Sequence, residues 1–282
     1  MAISDQEIRA LEERARGIRK DIVDVTEWAG GAHIGGGLSM VDILVILYFK
    51  CLSIDPANPA MADRDRVVLS KGHGGVGYAP VLARRGYFDF DMLRTFNQFK
   101  SPFGMHLDGR KVKAVDVSTG SLGHGLSMAV GLALGARLQK KGWKTYCILG
   151  DGECNEGSVW EAAMSAAMFK VTNLVTLVDR NRLMIDGKTE DVMALEPFAD
   201  KWKAFGFTVK TIDGHSFREL AEAIEFAHSH TDAPVVIIAN TQKGKGVDYM
   251  EDNVKWHYGS MDSRLAEAAR ASIDRMAGAT LN

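Results

Sequence analysis

Residues 148–164 read ILGDGECNEGSVWEAAM: an apolar run ends in Gly-Asp-Gly and passes straight into a helix-forming segment. Glycines on both sides of Asp151 let the backbone turn sharply and let a bulky ligand approach without a Cβ in the way. A helix beginning near Asn155 would offer free N–H groups and the positive end of its dipole to a phosphate. A carboxylate beside an anion site repels the anion unless a cation lies between them. Mg2+ or Ca2+ bridging Asp151 to a phosphate meets that requirement, because hard cations take oxygen ligands and Mg2+ pairs few protein groups with substrate phosphates.

Apolar, β-branched runs recur on either side, at DRVVLS, KTYCILG, TNLVTLVD, FTVKTID and PVVIIAN, and most read as fully buried strands. Helix-period segments separate most of them, at 123–140, 156–169, 197–205 and 216–229. The alternation predicts an α/β fold, a doubly wound and mainly parallel sheet flanked by helices. Two helices come first, at 5–29 and 39–49, the second opened by Ser39 with Asp42 three residues on as a capping box. Glycine-rich turns fall at GGAHIGGG, SKGHGGVG, STGSLGHG, LGDGECNEG and NTQKGKG. Ligands of such sheets bind beyond the strand carboxyl ends, so these turns are candidates for one shared site. Asn181, in LVTLVDRNRLMIDG, follows its strand thirty positions after Asp151, about the length of one strand-helix-strand crossover. That spacing puts a second oxygen ligand at the end of the adjacent parallel strand.

The totals narrow the function classes. The chain has 282 residues, 46% hydrophobic and 25% charged, with a net charge of -2, the proportions of a soluble globular protein. No basic patch for nucleic acid and no acidic tail stands out. With no Pro/Gly/Ser-rich linker, charge run or internal repeat, one domain over 1–282 is expected. Cys51, Cys147 and Cys154 show no C-x-x-C spacing, so neither a disulfide framework nor a zinc site is indicated, and a reducing compartment fits. The first segment is charged and amphipathic, without the apolar core of a signal peptide. The most apolar stretch, MVDILVILYF, is ten residues long and contains Asp42, too short to span a bilayer. The protein reads as cytoplasmic, with no membrane and no nucleic acid as partner.

GDGECNEG followed by DRNRLMIDG resembles the thiamine diphosphate signature. GGAHIGGGLSMVDIL, DRVVLSKGHGGVGYAP, SPFGMHLDG, STGSLGHGLSMAVG and DGHS resemble transketolase segments, in order and over nearly the whole chain. The resemblance implies thiamine diphosphate anchored by Mg2+, with Ca2+ or Mn2+ as substitutes. Its metal ligands would be the Asp151 carboxylate, the Asn181 side-chain oxygen and the Leu183 carbonyl. It implies cofactor contacts at Gly120, Leu122, Gly150, Gly152, Ile185, His73 and His257. His33 and His106 are implied in substrate contact and proton transfer, with His73 and His257 also in the catalytic set; imidazole suits that work because it titrates near neutral pH. Glu156 is a favourable partner for a helix dipole. By the resemblance it also reaches across a subunit interface toward the cofactor-activating glutamate, a catalytic and cofactor-linked role. His124 stands where many transketolases have glutamine, under the diphosphate. His215 is read as a cap of the helix near Ser216, His228 and His230 as helix-end surface residues, and Asp186 as a turn former. Lys243 and Lys245 either meet substrate or diphosphate or belong to a solvated loop.

Transketolases carry three domains per chain, and the resemblance reaches only the first. It implies a partner chain bearing the pyrimidine-binding and C-terminal domains, in a heterotetramer with two copies of each chain. The implied activity is transfer of a two-carbon ketol unit from a ketose, as sugar or sugar phosphate, to an aldose. A deoxyxylulose phosphate synthase-like or 2-oxo acid dehydrogenase-like component would share the metal signature, but is not expected to carry His33, His73 and His106 together. A noncatalytic cofactor-binding subunit would be expected to lose Asp151 or Asn181. A nucleotide-binding protein of another kind would need G-x-x-x-x-G-K-[ST], which the sequence lacks.

Overall fold

The computed structural model describes residues 3–279. Its strands are β1 (Gly31–Ala32), β2 (Arg66–Leu69), β3 (Thr145–Gly150), β4 (Leu174–Arg180), β5 (Thr208–Asp213), β6 (Val235–Asn240) and β7 (Gly259–Ser260). Five of them form one wholly parallel sheet in the order β2-β3-β4-β6-β5. The other two make a short antiparallel ladder that the sequence reading does not anticipate.

Helices cover both faces, as the alternation predicts. They are α1 (Asp5–Ala29), α2 (Ile34–Ser39), α3 (Val41–Ile46), α4 (Gly75–Arg85), α5 (His124–Leu138), α6 (Gly157–Met168), α7 (Thr189–Val192), α8 (Phe198–Ala204), α9 (Phe217–Ser229) and α10 (Ser263–Ala279). Successive strand side chains point to opposite faces, so each central strand feeds two cores. Tyr146, Ile148, Val175, Leu177, Val235 and Ile237 pack beneath α1, α3, α4 and α9. Cys147, Leu149, Val178, Val236 and Ile238 pack against α5, α6 and α8. β5 lies at the edge and is only partly buried, which accommodates its polar Lys210 and Thr211.

The helix at 5–29 forms as read, held by a Ser4/Glu7 capping box and closed at Gly30, whose φ of 72° is left-handed. The reading of 39–49 needs correction. Ser39 ends α2 instead of opening a helix, and α3 runs on into a single π turn, Leu47–Cys51. The Ser39 hydroxyl bonds Asp179 Oδ2 at 2.6 Å, and Asp42 takes both Arg19 guanidinium nitrogens, at 3.1 and 2.6 Å. Tertiary partners thus claim both groups of the expected capping box. The second half of GGAHIGGG, from Ile34, is likewise helix. A Cβ on Gly77 of α4 would lie 2.7 Å from the Gly37 carbonyl oxygen, so Gly37 permits close helix crossing, whereas Gly30 marks the turn that the reading expects.

Candidate active site at the strand carboxyl ends

The carboxyl ends of β2, β3, β4 and β6 open onto one cavity of about 310 Å³. The parallel β3–β4 pairing sets Gly150 beside Asp179, so Asp151 and Asn181 emerge side by side, as the thirty-residue spacing requires. Asp151 is nearly buried; Oδ2 accepts from the Arg182 amide at 2.6 Å and Arg180 Nη1 at 3.1 Å, and Oδ1 from the Gly152 amide at 2.8 Å. Burial pushes its carboxyl up from the ordinary range, the neighbouring Asp179 adds to that, and Arg180 opposes it. Asn181 and Leu183 share the same wall. The Leu183 carbonyl already holds a cation, accepting from the Lys243 ammonium at 2.8 Å.

Gly150 and Gly152 both line the cavity, but neither has a positive φ, so no sharp turn explains them. Gly152 is instead a matter of space: a Cβ there would sit 3.0 Å from Met184 Cγ. The helix expected near Asn155 is a one-turn 3-10 piece, Gly152–Asn155, and α6 proper starts at Gly157 outside the cavity lining. The backbone that opens this segment at the cavity is thus the 3-10 piece starting at Gly152.

The same cavity gathers the histidines. His33, His73, His106 and His257 all line the cavity. The ring centroids of His33 lie 5.2 Å from His73 and 5.4 Å from His257, and His73 stacks on His257 at 5.6 Å. Burial, assisted by neighbouring cationic groups, lowers His33 to about 4, His73 to about 2 and His257 to about 3. All three imidazoles are neutral at neutral pH. His33 Nδ1 is buried with no hydrogen-bond partner among the described residues. Gly120, Leu122 and Ile185 complete the expected set along the rim and walls.

Two residues of the reading lie outside the cavity lining, and one reading is corrected. Glu156 is exposed and outside the lining, forming the backbone cap of α6. His124 opens α5 at the surface, also outside the cavity. His215 caps nothing: Ser216 caps α9, while His215 Nδ1 meets Asp42 at 2.6 Å and Nε2 meets the Gln242 amide at 2.9 Å. Asp186 sits at the tip of a turn closed by Met184 N to Gly187 O at 2.8 Å. His228 pairs with Tyr146 and His230 with Thr208. Lys245 reaches Gln242, whereas Lys243 is buried and lowered to about 8, by desolvation first and Lys71 second.

Four cavity residues escape the sequence reading. Lys71 is buried against Asp179, with Nζ to Oδ2 at 2.5 Å, and also donates to the Gly36 carbonyl at 3.0 Å. Gly36 itself faces the cavity, where a Cβ would lie 3.4 Å from the Lys71 Nζ. Glu153, at 3% exposure, accepts from Ser70 Oγ and from the amides of Gly123 (2.9 Å) and Gly150 (3.0 Å), tying three loops together. Met184 supplies apolar surface. A signal for Asp179 does exist in the sequence: a carboxylate stands inside the otherwise apolar run LVTLVD.

Chemically, the cavity joins the Asp151, Glu153 and Asp186 carboxylates, the neutral oxygens of Asn181 and Leu183, the buried ammoniums of Lys71 and Lys243, and the neutral imidazoles of His33, His73 and His257. Oxygen ligands suit a hard divalent cation. The Lys243 ammonium on Leu183 shows that this carbonyl is directed to receive positive charge. Among the described residues no three His, Cys, Asp or Glu side chains cluster as a self-contained metal site, and no helix is long and apolar enough to cross a membrane.

Comparison with known proteins bears on this geometry. Residues 11–273 match the family model described as "Transketolase, thiamine diphosphate binding domain". The chain is 40% identical over 273 residues to the 6-deoxy-6-sulfo-D-fructose transketolase subunit SqwG of Clostridium sp. (strain MSTE9), covering 97% of this chain and 99% of that protein. It is also 40% identical over 271 residues to one of the subunits of the apulose-4-phosphate transketolase of Phocaeicola vulgatus, covering 96% of each. Among solved structures, the transketolase of Campylobacter jejuni superposes with a TM-score of 0.89 at 30% identity, over 97% of this chain but 43% of that one.

Proposed function

This chain belongs to the transketolase family, and from that premise we propose that it is the cofactor-binding subunit of a two-chain transketolase. In that enzyme it transfers a two-carbon ketol unit from a ketose to an aldose. The observation that carries the reading is the cavity itself, which Asp151, Asn181 and Leu183 line together with His33, His73, His106 and His257. Residues 1–282 act as one domain in this reading. The active form needs a second chain with the pyrimidine-binding and C-terminal domains, two copies of each. Support comes from relatives named as subunits that match this chain nearly end to end, while it spans under half of the Campylobacter enzyme. Both relatives' names specify an anionic sugar, one sulfonated and one phosphorylated, so a sugar phosphate or sulfonate is the substrate class assigned here. The free cysteines fit a cytoplasmic location.

Asp151, Asn181 and the Leu183 carbonyl would hold Mg2+, or Ca2+ or Mn2+ in its place, and through it the diphosphate. Lys243 would place its ammonium on the same anionic group. Gly120, Leu122, Gly150, Gly152 and Ile185 would shape the cofactor's bed. When bound, thiamine diphosphate supplies the carbon nucleophile and electron sink for breaking a C–C bond beside a ketose carbonyl. The protein's own residues orient, exclude water and move protons. The His33 and His106 rings line the same space and would exchange a proton with a sugar hydroxyl there. Lys243 Nζ donates to His257 Nδ1 at 2.8 Å, so His257 carries its proton on Nε2 and acts as a donor. His73, packed against both His33 and His257, presents a neutral ring to the cofactor side. Glu156, exposed at the start of α6, is assigned to the interface with the second chain.

The test is recovery of the tagged chain from its native host with thiamine diphosphate and Mg2+ present, followed by identification and weighing of co-eluting protein. A stoichiometric companion bearing the pyrimidine-binding half, and ketol transfer by the pair, are expected. Recovery of the chain alone, binding no cofactor, would overturn the proposal.

A further inference from the structure

We infer that His215 is a positioning residue for Lys243, holding the loop that carries that lysine into the cavity through a single backbone hydrogen bond. The argument begins with donor logic. The Gln242 amide can only donate, so His215 Nε2, 2.9 Å away, is its acceptor and carries no proton. The proton of the neutral ring is then on Nδ1, which donates to Asp42 Oδ2 at 2.6 Å. Asp42 is itself gripped by Arg19 through two nitrogens. Burial works to raise the Asp42 carboxyl, and Arg19 with His215 overrides it, holding the group near 2. A fixed carboxylate thus fixes the ring's tautomer and orientation, and the ring fixes the Gln242 amide.

Gln242 is the residue before Lys243, in the segment leaving β6. That segment folds back at Gly244 and Gly246, whose φ values of +80° and +99° are left-handed. Arg19 lies against it as well, since a Cβ on Gly246 would fall 3.0 Å from Arg19 Cδ. The Gly244 amide bonds the Gly35 carbonyl at 3.0 Å. From this clamped backbone the Lys243 side chain reaches the Leu183 carbonyl and His257, both at 2.8 Å. A buried lysine has many rotamers and no shape of its own to hold it, so its reach is set by where the loop is held. His215 lies outside the cavity lining, and its influence passes through Gln242.

Two polar substitutions separate the two ends of the ring. In His215→Asn the side-chain amide can still donate to Asp42 but is too short to reach Gln242. In His215→Gln the amide oxygen replaces Nε2 at Gln242 and gives up Asp42. Labelling of surface-accessible amines by reductive methylation, read at Lys243 by peptide mass spectrometry, is expected to quicken by about fivefold or more in the Asn variant and stay within about twofold in the Gln variant. Exposed Lys203 serves as the control. Equal labelling in the two variants, or wild-type labelling in the Asn variant, overturns the inference. So does rapid hydrogen exchange of the Gln242 amide in the unaltered chain, a measurement that needs no variant. The catalytic consequence, a lower kcat with the partner chain for Asn than for Gln, rests on the proposed function. Inactivity of the wild-type pair would defeat that function while leaving the labelling result to decide the role of His215.

Discussion

Lys71 Nζ lies 2.5 Å from Asp179 Oδ2, with side-chain exposures of 2% and 0%, so a charge pair sealed from water joins the end of β2 to β4. Asp179 also accepts from Ser39 at 2.6 Å, from Asn181 Nδ2 at 3.1 Å and from Thr241. Burial alone would raise its carboxyl; Lys71, Ser39 and Thr241 lower it instead. Removing the cation leaves a buried anion without its counter-charge. Lys71→Met is therefore expected to cost roughly 3–5 kcal/mol in urea unfolding. Adding Asp179→Asn, which removes the orphaned charge and keeps hydrogen-bonding capacity, is expected to recover part of the loss. A single variant as stable as the parent would show that the pair is not sealed.

Asp151 is the one carboxylate among the three oxygens assigned to the cation. Asp151→Ala is expected to weaken Mg2+-dependent retention of thiamine diphosphate by more than about 100-fold, a larger loss than supporting residues cause at metal sites. Calorimetric titration in Mg2+ and in chelator separates the metal's share from the rest. Unchanged binding in Mg2+ would remove Asp151 from the site.

Legibility in the sequence follows the length and regularity of each signal. The five parallel strands and α1, α5, α6, α8 and α9 are readable because buried strands and amphipathic helices repeat over many residues. The segment from Ile34 to Cys51 misleads because glycine marks both turns and tight helix crossings, and only the Gly37–Gly77 contact tells them apart. β1 and β7 are two residues each, too short for any period to show. In the site, Asp151 and Asn181 are legible through their spacing on neighbouring strands. Lys71, Glu153 and Lys243 are harder, since a charged residue in a glycine-rich loop looks solvated until its burial is known. His215 reads as a cap only because it adjoins a helix start, and Ser216 already fills that role.

The close crossing of α2 and α4 gives a further prediction. An alanine methyl at Gly77 would meet the Gly37 carbonyl oxygen at 2.7 Å and its Cα at 2.8 Å, both backbone atoms that cannot swing aside. The helices must separate, and His33 precedes α2 while His73 precedes α4. Gly77→Ala is expected to lower stability by about 1–3 kcal/mol and to weaken cofactor binding together with it. Gly17 provides the opposite case, an exposed position in α1 with nothing within 4 Å of an added Cβ. Gly17→Ala is expected to raise stability by about 0.5–1 kcal/mol. Thermal unfolding of the two variants checks both signs, and a stabilising Gly77→Ala would refute the contact.

The histidine cluster predicts how stability depends on acid. His33, His73 and His257 are held at about 4, 2 and 3 in the folded chain, against the ordinary 6.5 for His that the unfolded chain regains. Each group's folded value is depressed, so its full stability is present above pH 6.5 and is lost as pH falls towards the folded value. Between those limits the unfolded state binds protons that the folded state refuses, which makes stability rise with pH. Urea midpoints are therefore expected to fall steeply from pH 7 to pH 5. His33→Asn removes one of the refused protons, so the dependence of unfolding free energy on pH should flatten by about one proton in that window. Potentiometric titration of the same variant offers an independent count. A slope unchanged by the substitution would mean that His33 titrates alike in both states and that the apolar burial of its ring does not control its charge.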